Sequence, residues 1–305
     1  MNEFNLTNNS NHNVRLVAEK DAICIKHIPP DGLYDSIVVS FVDDIGHRLD
    51  SHPINKTHDT FVIQLQNIHP GRYSMTCYKR SFAFEPYNPW FTKIPIVISP
   101  DRSASFEQSP VFENNIKCFQ QMASQPYSLI ASQEKPAGKI SRLAKQITLT
   151  SSTTYNAALA IHDYISRTIS YDMDAYNKML NKEKVDYSKV SDALLVLSSG
   201  IGVCSGYANL AVDMFTSIGI PAKTINCFAL GRSTEGRWSK ENIQSDHNHV
   251  ITAAYIDNRW VLMDMTWDSI KKYEKGHITK LKPLSREYFD PTLQLLSVTH
   301  KLFSL

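Results

Sequence analysis

The chain has 305 residues, 42% of them hydrophobic and 20% charged, a composition typical of a globular protein with room for more than one domain. The formal net charge is only +2 and no long basic run is present, so the sequence predicts no nucleic-acid partner and no attraction to an anionic membrane surface. No stretch approaches eighteen uninterrupted apolar residues, and we therefore predict no membrane insertion.

The first hundred residues predict a series of short β-strands. Apolar and polar residues alternate in five runs, at 14–18, 37–42, 61–65, 73–77 and 94–98. In the third and fourth runs, the residues expected to face inward are Phe61, Ile63, Leu65, Tyr73, Met75 and Cys77. Short strands separated by turn-forming residues are typical of antiparallel sandwiches. We therefore expect residues 1–105 to form an immunoglobulin-like β-sandwich domain.

Two further segments follow the predicted sandwich. Residues 106–150 are polar with helical stretches, and we interpret them as a helical connector. The remaining residues, 151–305, are expected to form a catalytic domain of mixed α+β class. This domain opens with a helix predicted over 154–168, because apolar residues recur there at helical spacing. The charged, tyrosine-rich segment 174–189 is expected to be a surface loop.

A second amphipathic helix is predicted to begin near Cys204. Apolar residues recur at three-and-four spacing over 207–218, Gly219 then ends the pattern, and Gly200 and Gly202 precede it. The unpaired amides and the positive dipole at a helix N-terminus favour a thiolate over a thiol, and they can also stabilise an oxyanion. The alternative is a buried structural cysteine, because free cysteines are often buried.

A β-hairpin is predicted downstream of this helix. Residues 249–256 and 259–266 have strand composition, and the two-residue turn Asp257-Asn258 between them suits a tight hairpin. In that register Ile251 lies opposite Asp264 and His249 lies opposite Thr266. His249 is then the diagonal neighbour of Asp264, with their Cβ atoms about 7 Å or less apart.

The hairpin offers two ways to pair a histidine with an aspartate. His249 and Asp264 can share a hydrogen bond, as a base and the carboxylate that orients it. The alternative is that His249 is an ordinary strand histidine and Asp264 a strand-end cap. In the same register His247 lies opposite Asp268, which predicts a rival acid–base pair.

Four motifs in this region carry a resemblance to a known family. They are GVCSGYA at 202–208, GIPA at 219–222, YIDNRW at 255–260 and DMTWD at 264–268. In content and order they resemble the transglutaminase-like superfamily, a papain-like thiol fold that includes transglutaminases, bacterial transglutaminase-like peptidases and peptide N-glycanases. The resemblance covers roughly residues 150–270.

The resemblance implies a role for three side chains. Carried over by motif, Cys204 is the nucleophile, His249 the general base and acid, and Asp264 the residue that orients the histidine. The family spacing also favours His249 over His247. The implied fold places the helix that bears the cysteine against an antiparallel sheet that bears the histidine and the aspartate.

The sequence departs from the family pattern at two places. Val250-Ile251-Thr252 replaces a polar segment after the histidine, and Met265 replaces the usual proline before Thr-Trp-Asp. Both changes alter the wall of the pocket, so the family's substrate preference is not carried over. Papain-like enzymes often place a glutamine several residues before the cysteine as an oxyanion donor, and this segment has none. Ser198 and Ser199 stand there instead, and the backbone N–H of Cys204 is the preferred donor.

The residues and the resemblance together predict a cysteine-dependent peptidase or amidase. Its substrate is expected to be a protein or peptide amide, cleaved through a thioester intermediate. Hydrolysis is favoured over transfer because the chain has none of the clustered acidic loops of calcium-dependent cross-linking enzymes. The alternatives are a protein-glutamine gamma-glutamyltransferase, which transfers the acyl group to an amine, and a binding protein that retains the fold without the activity.

No cofactor or metal is predicted. The histidines at 162, 247 and 249 lack a recurring metal-ligand spacing, and the five cysteines contain no CxxC pair. An odd number of cysteines without such pairs favours reduced thiols. The polar N-terminal sequence lacks a signal-peptide core, which predicts a cytoplasmic protein, or a secreted one if a leader has been trimmed. The sequence does not indicate an oligomeric state.

Overall fold

The computed structural model describes residues 1–8, 14–26, 36–50, 52–80, 88–124, 136, 138–231 and 237–303. The strands of the N-terminal part are β1 (Glu3–Asn5), β2 (Arg15–Glu19), β3 (Ala22–Lys26), β4 (Ser36–Asp43), β5 (Arg48–Asp50), β6 (Ile54–Asn55), β7 (Phe61–Gln64), β8 (Gly71–Arg80), β9 (Asn88–Ile98) and β10 (Ala104–Phe106). Each of the five predicted N-terminal runs therefore coincides with a strand, except that Val14 and Leu65 lie just outside β2 and β7.

The rest of the chain mixes helices and strands, so the protein is of α+β class. These elements are α1 (Phe112–Ala123), α2 (Gly138–Thr148), α3 (Thr154–Thr168), β11 (Ser170–Asp172), α4 (Met173–Leu180), α5 (Tyr187–Ser191), α6 (Ala193–Ser199), β12 (Ile201–Gly202), α7 (Cys204–Ser217), β13 (Ala222–Ala229), α8 (Lys240–Gln244), β14 (His249–Ile256), β15 (Arg259–Met263), α9 (Met265–Asp268), β16 (Lys271–Glu274), β17 (His277–Lys280), α10 (Leu293–Thr299) and β18 (His300–Leu302). None of the helices in the described ranges is long and apolar enough to span a membrane.

The chain groups into two compact units that are not contiguous in sequence. The first unit comprises Met1–Asn115, Leu230–Gln244 and Asp290–Lys301, and the second comprises Ile116–Ala229, Ser245–Phe289 and Leu302–Leu305. Strand β18 spans the last boundary between them. The domain boundaries predicted near residues 105 and 150 stay a prediction.

The first unit is built on two antiparallel sheets with one apolar core. One sheet has the order β1-β2-β3-β7, and the other has the order β10-β9-β8-β4-β5. The residues predicted to face inward on β7 and β8 are all buried in this core, together with apolar residues of the other strands. Such an arrangement is compatible with a β-sandwich. The immunoglobulin-like type stays a prediction.

The core of the second unit forms where α7 packs against helices α2 and α3 and strands β13 and β14. Helix α3 spans Thr154–Thr168, as its apolar spacing predicts, and Ala158, Ile161 and Ile165 are fully buried. The antiparallel strands run in the order β15-β14-β13. A second sheet, in the order β12-β11-β16-β17, pairs the strand directly before α7 with β11.

The prediction of a surface loop over 174–189 was wrong. Helices α4 and α5 occupy most of this segment. The Asp172 carboxylate accepts a hydrogen bond from the Ala175 N–H, at 2.9 Å, and so caps α4. The high proportion of polar residues hid two short helices, because exposed helices need few apolar residues.

Candidate active site

Cys204 is the first residue of helix α7. The preceding helix, α6, ends at Gly200 in the left-handed conformation, with φ of 70°, and the two residues of β12 lead from there to the thiol. Val203 is the N-cap of α7 and forms no side-chain capping bond. The thiol therefore lies at the positive end of the helix dipole, as predicted, where a negative charge is stabilised.

The two residues after Ser205 in the GVCSGYA motif serve the packing of this helix start. A Cβ atom at Gly206 would overlap the carbonyl oxygen of Val190, so only glycine fits there. The hydroxyl of Tyr207 donates to the Ile169 carbonyl at 2.8 Å and lies 3.0 Å from the Ser269 hydroxyl. These contacts fix the first turn of α7 and with it the position of the thiol.

The predicted hairpin forms in the predicted register. Ile256 pairs with Arg259, and Thr252 pairs with Met263. Asp257 and Asn258 both have positive φ, 49° and 62°, as a type I′ turn requires.

The second strand is shorter than predicted. β15 ends at Met263, so His249 has no strand partner at Thr266 and pairs instead with Cys227 of β13. The chain leaves the sheet at this point because Asp264 begins the short helix α9.

Asp264 is both a helix cap and the partner of His249. Its Oδ1 accepts hydrogen bonds from the N–H groups of Thr266, at 2.9 Å, and Trp267, at 3.0 Å. Its Oδ2 accepts a hydrogen bond from Nε2 of His249 at 2.7 Å. The two interpretations of this aspartate left open by the sequence therefore hold together. Because each oxygen has its own donors, the carboxylate is held in one orientation.

His249 connects this carboxylate to the thiol. Its Nε2 is bonded to Asp264, and its side chain also shares a hydrogen bond with Cys204. Burial lowers the pKa of His249, but the Asp264 charge and the bonds to Asp264 and Cys204 outweigh it and raise the pKa to about 10. The imidazole is therefore protonated at neutral pH.

The half-buried thiol responds in the opposite direction. Burial raises the pKa of Cys204, but the hydrogen bond and positive charge of His249 lower it more, and the backbone N–H of Val250 adds a further bond. The net pKa lies below that of an ordinary cysteine. A thiol with a lowered pKa beside an imidazole with a raised pKa is the electrostatic pattern of an ion pair.

Two other titratable groups near the thiol behave as ordinary buried groups. Burial raises the pKa of Tyr171 and of Cys227, and the negative charge of Cys204 adds to both shifts. Neither group ionises near neutral pH. Of the two neighbouring thiols, Cys204 and Cys227, only Cys204 can therefore carry a charge there.

The rival pair of His247 and Asp268 does not form. His247 is exposed, and its ring packs against Phe303 with centroids 6.2 Å apart. Asp268 is fully buried and bonds to Nε2 of His162 at 3.1 Å. The alternative was wrong because the hairpin pairing ends at Met263, so the register that predicts it does not continue as far as Asp268.

Sequence reasoning missed the partner of Asp268. His162 lies about a hundred residues before Asp268 on a different element, and nothing in local spacing connects them. The capping interpretation of Asp264, by contrast, had a local signal, because an aspartate at the end of a strand is a common helix start.

Comparisons with known proteins agree with the motifs. The family model of the transglutaminase-like superfamily matches residues 141–265. No curated protein is similar enough to the chain to count as a match.

Three solved structures are similar at low identity. A TGase has 21% identity and a TM-score of 0.34, over 45% of this chain and 32% of that protein. A candidate cysteine protease from Cytophaga hutchinsonii has 15% identity and a TM-score of 0.34, over 93% and 81% of the two chains. A candidate protease from Parabacteroides distasonis has 12% identity and a TM-score of 0.28, over 83% and 43%. The chain thus spans about a third of the TGase. The resemblance predicted from the motifs is confirmed by the family model, which matches the transglutaminase-like superfamily over residues 141–265.

Proposed function

We propose that the protein is a cysteine-dependent peptidase or amidase that acts on a peptide or glutamine-type amide. Cys204 is the nucleophile, His249 the general acid and base, and Asp264 the residue that orients the imidazole. The substrate is a protein or peptide, as the resemblance implies.

One observation carries this proposal. The thiol at the start of α7 is bonded to an imidazole whose other side is fixed by a carboxylate, and its pKa is lowered despite burial. A structural cysteine in an apolar site has a raised pKa, as Cys227 does. The depressed pKa of Cys204 therefore supports a reactive thiol, and the half-buried position leaves it open to an approaching carbonyl.

The first half of the reaction forms a thioester. The Cys204 thiolate attacks the carbonyl carbon of the amide, and the carbonyl electrons move onto oxygen. The first backbone N–H groups of α7, which lack a side-chain cap at Val203, stabilise this oxyanion. Protonated His249 then donates its proton to the amide nitrogen, the C–N bond breaks and the amine leaves.

The second half consumes the thioester. His249, now neutral, accepts a proton from the incoming nucleophile while that nucleophile attacks the carbonyl carbon. The C–S bond breaks and the thiolate–imidazolium pair is restored. Water as nucleophile releases a carboxylic acid, whereas a primary amine produces a new amide. We propose hydrolysis as the main outcome.

Competitive alkylation tests the thiol. The protein is treated briefly with limiting iodoacetamide at pH 7, and each cysteine is quantified by mass spectrometry. Cys118 is the matched internal control, because it is also half-buried and lies in the same unit. We expect Cys204 to be alkylated much faster than Cys118, and His249→Ala to remove most of this difference.

Turnover tests the reaction. Glutamine-containing peptides are incubated with the wild type and with Cys204→Ala, with and without a fluorescent primary amine. We expect release of the acid or ammonia by the wild type only, with little amine incorporation. Predominant amine incorporation would instead identify a transferase. Equal alkylation of Cys204 and Cys118, together with an inert wild type, would overturn the proposal in favour of a binding protein.

A further inference from the structure

Helix α9 contains only Met265–Asp268, yet it determines the orientation of the site aspartate. Oδ1 of Asp264 is held by two N–H groups of this single turn, at Thr266 and Trp267. A helix of one turn is not stable by itself, because its few hydrogen bonds do not offset the cost of nucleation. Contacts outside α9 must therefore hold the turn in place.

Tyr288 bonds to both ends of the turn. Its carbonyl accepts the N–H of Asp264 at 3.0 Å, and its own N–H donates to Oδ2 of Asp268 at 3.0 Å. The N–H of Asp268 in turn donates to the Asp264 carbonyl at 3.2 Å. These three hydrogen bonds link Asp264, Asp268 and Tyr288 in a closed ring. Only one of them uses a side chain, that of Asp268, so only that bond can be removed by substitution.

Helix α3 provides the second support. Nε2 of His162 bonds to Oδ2 of Asp268 at 3.1 Å, and the Ser166 hydroxyl donates to the Met265 carbonyl at 3.3 Å. His162 and Asp268 are both completely buried. Oδ1 of Asp268 makes no hydrogen bond with any residue in the described ranges. Because few donors reach the buried Asp268 carboxylate, it depends strongly on the hydrogen bond from His162.

His162 is itself held in place by Asp163 and Phe289. Its Nδ1 lies 3.3 Å from Asp163, and its ring packs on Phe289 with centroids 5.1 Å apart. Arg286 binds the Asp163 carboxylate with two hydrogen bonds of 3.0 and 2.6 Å. The imidazole thus sits between two carboxylates in a fixed orientation and directs a donor at Asp268.

We propose that Asp268 is a positioning residue, and that its pair with His162 fixes α9 so that Asp264 and Trp267 face His249. Trp267 lies on α9, and its ring centroid is 6.3 Å from that of His249. The inference rests on the proposed function, since it concerns the groups that activate Cys204. It assigns a second histidine–aspartate pair that does not touch the thiol.

Asp268→Asn tests this inference. The substitution preserves shape, and an amide oxygen in the place of Oδ2 can still accept from Tyr288, but it removes the negative charge that holds the His162 imidazole. We expect α9 to shift, the Asp264–His249 bond to lengthen and the pKa of Cys204 to rise. A rise of one unit lowers the thiolate fraction below that pKa about tenfold. The pH profile of Cys204 alkylation should move to higher pH by about one unit or more.

Loss of stability alone must be distinguished from this effect. Ile140→Ala removes a fully buried core side chain of α2 in the same unit, on a helix that provides none of the hydrogen bonds around α9 described above. We expect it to lower the melting temperature while the pH profile of Cys204 alkylation stays at its wild-type position. Asp268→Asn is expected to move the profile at temperatures where both variants remain folded, as followed by circular dichroism.

A pair of substitutions at His162 separates the donor from the bulk of the ring. The amide nitrogen of His162→Gln can replace Nε2 as a donor to Asp268, whereas His162→Leu has no donor. We expect the glutamine variant to retain most of the wild-type pH profile and the leucine variant to resemble Asp268→Asn. If the leucine variant fails to fold, Asp268→Asn and His162→Gln still decide the question.

The results distinguish this inference from the proposed function. Fast alkylation of wild-type Cys204 that is lost in His249→Ala, combined with an unshifted profile in Asp268→Asn, would overturn the positioning role alone. Slow alkylation of wild-type Cys204 would overturn both, because no activated thiol would then exist to be positioned. A shifted profile in Asp268→Asn, with none in Ile140→Ala, is the result we expect.

Discussion

Two histidine–aspartate pairs lie in the second unit, and their aspartates are only four residues apart. In the first, Nε2 of His249 bonds to Asp264 at 2.7 Å; in the second, Nε2 of His162 bonds to Asp268 at 3.1 Å. Both pairs are buried. They differ in the third partner, which is the half-buried thiol of Cys204 for His249 and a second carboxylate for His162.

This difference explains how one combination of side chains can serve two purposes. A histidine between a carboxylate and a thiol can pass a proton to a substrate at the thiol. A histidine between two carboxylates, packed on the Phe289 ring and completely buried, has no route to a substrate. The third partner and the access to it therefore separate a pair suited to chemistry from a pair suited to holding the backbone.

The largest expected effect is on stability, at the second pair. His162→Leu leaves the buried carboxylate of Asp268 without its imidazole partner, and we expect the free energy of unfolding to fall by about 3 to 5 kcal/mol. His249→Ala should cost clearly less, because Asp264 retains two backbone donors. Urea unfolding followed by circular dichroism measures both. Equal losses would show that the two pairs contribute alike to stability.

The contribution of His162 should also depend on pH. Burial lowers the pKa of His162, but the two neighbouring carboxylates raise it above its usual value. A raised folded-state pKa stabilises the protein fully below the usual value, about 6.5, and this stabilisation is lost as the pH rises through the folded-state pKa. The difference in unfolding free energy between wild type and His162→Gln should therefore be largest below about pH 6.5 and shrink as the pH rises above it.

The next effect separates the two roles of Asp264. Asp264→Asn can keep the helix cap but loses the charge that protonates His249, whereas Asp264→Ala loses both. We expect each variant to slow Cys204 alkylation at pH 7 by about a hundredfold, equivalent to roughly 2.7 kcal/mol. Only the alanine variant should also lose about 1 kcal/mol of stability, the usual value of a cap. Equal stability of the two variants would contradict the capping role.

A further prediction uses pH to separate alkylation from turnover. The pKa of His249 is raised to about 10, so turnover should fall about tenfold per unit above that pH, because the leaving amine loses its proton donor. Alkylation needs only the thiolate and should stay on its plateau. Rate profiles from pH 5 to 11 measure both. If both rates fell in parallel, alkylation would depend on the imidazolium as well as turnover.

The smallest change in stability is expected at Arg286, which binds the Asp163 carboxylate next to His162. Arg286→Gln removes a cation that binds Asp163, and since the arginine is half exposed we expect a loss of less than about 1 kcal/mol. Burial raises the pKa of Asp163, but His162 and Arg286 lower it to about 2. Stability from this group is lost as the pH falls toward that value, so the variant should unfold at higher pH in an acid titration. An unchanged midpoint would show that Arg286 is dispensable.

Much of the local structure was predictable from the sequence. Helix α3 and the hairpin turn have the expected residues, because apolar spacing and a two-residue turn are local properties. The placement of Cys204 at the start of α7 was predictable for the same reason. The short helices α4 and α5 were not, because their stability comes from caps and from neighbours rather than from an apolar stripe.

The amino-acid sequence alone predicts the three candidate side chains and the nearness of His249 to Asp264, because these follow from motif order and hairpin register. The histidine that each aspartate binds follows from the tertiary structure alone. Asp264 ends the strand by capping α9, and that turn carries Asp268 away from His247 and into contact with His162 on α3. The reason is physical: a buried carboxylate pairs with whichever donor the fold brings within hydrogen-bonding distance, and that donor can come from any point in the chain.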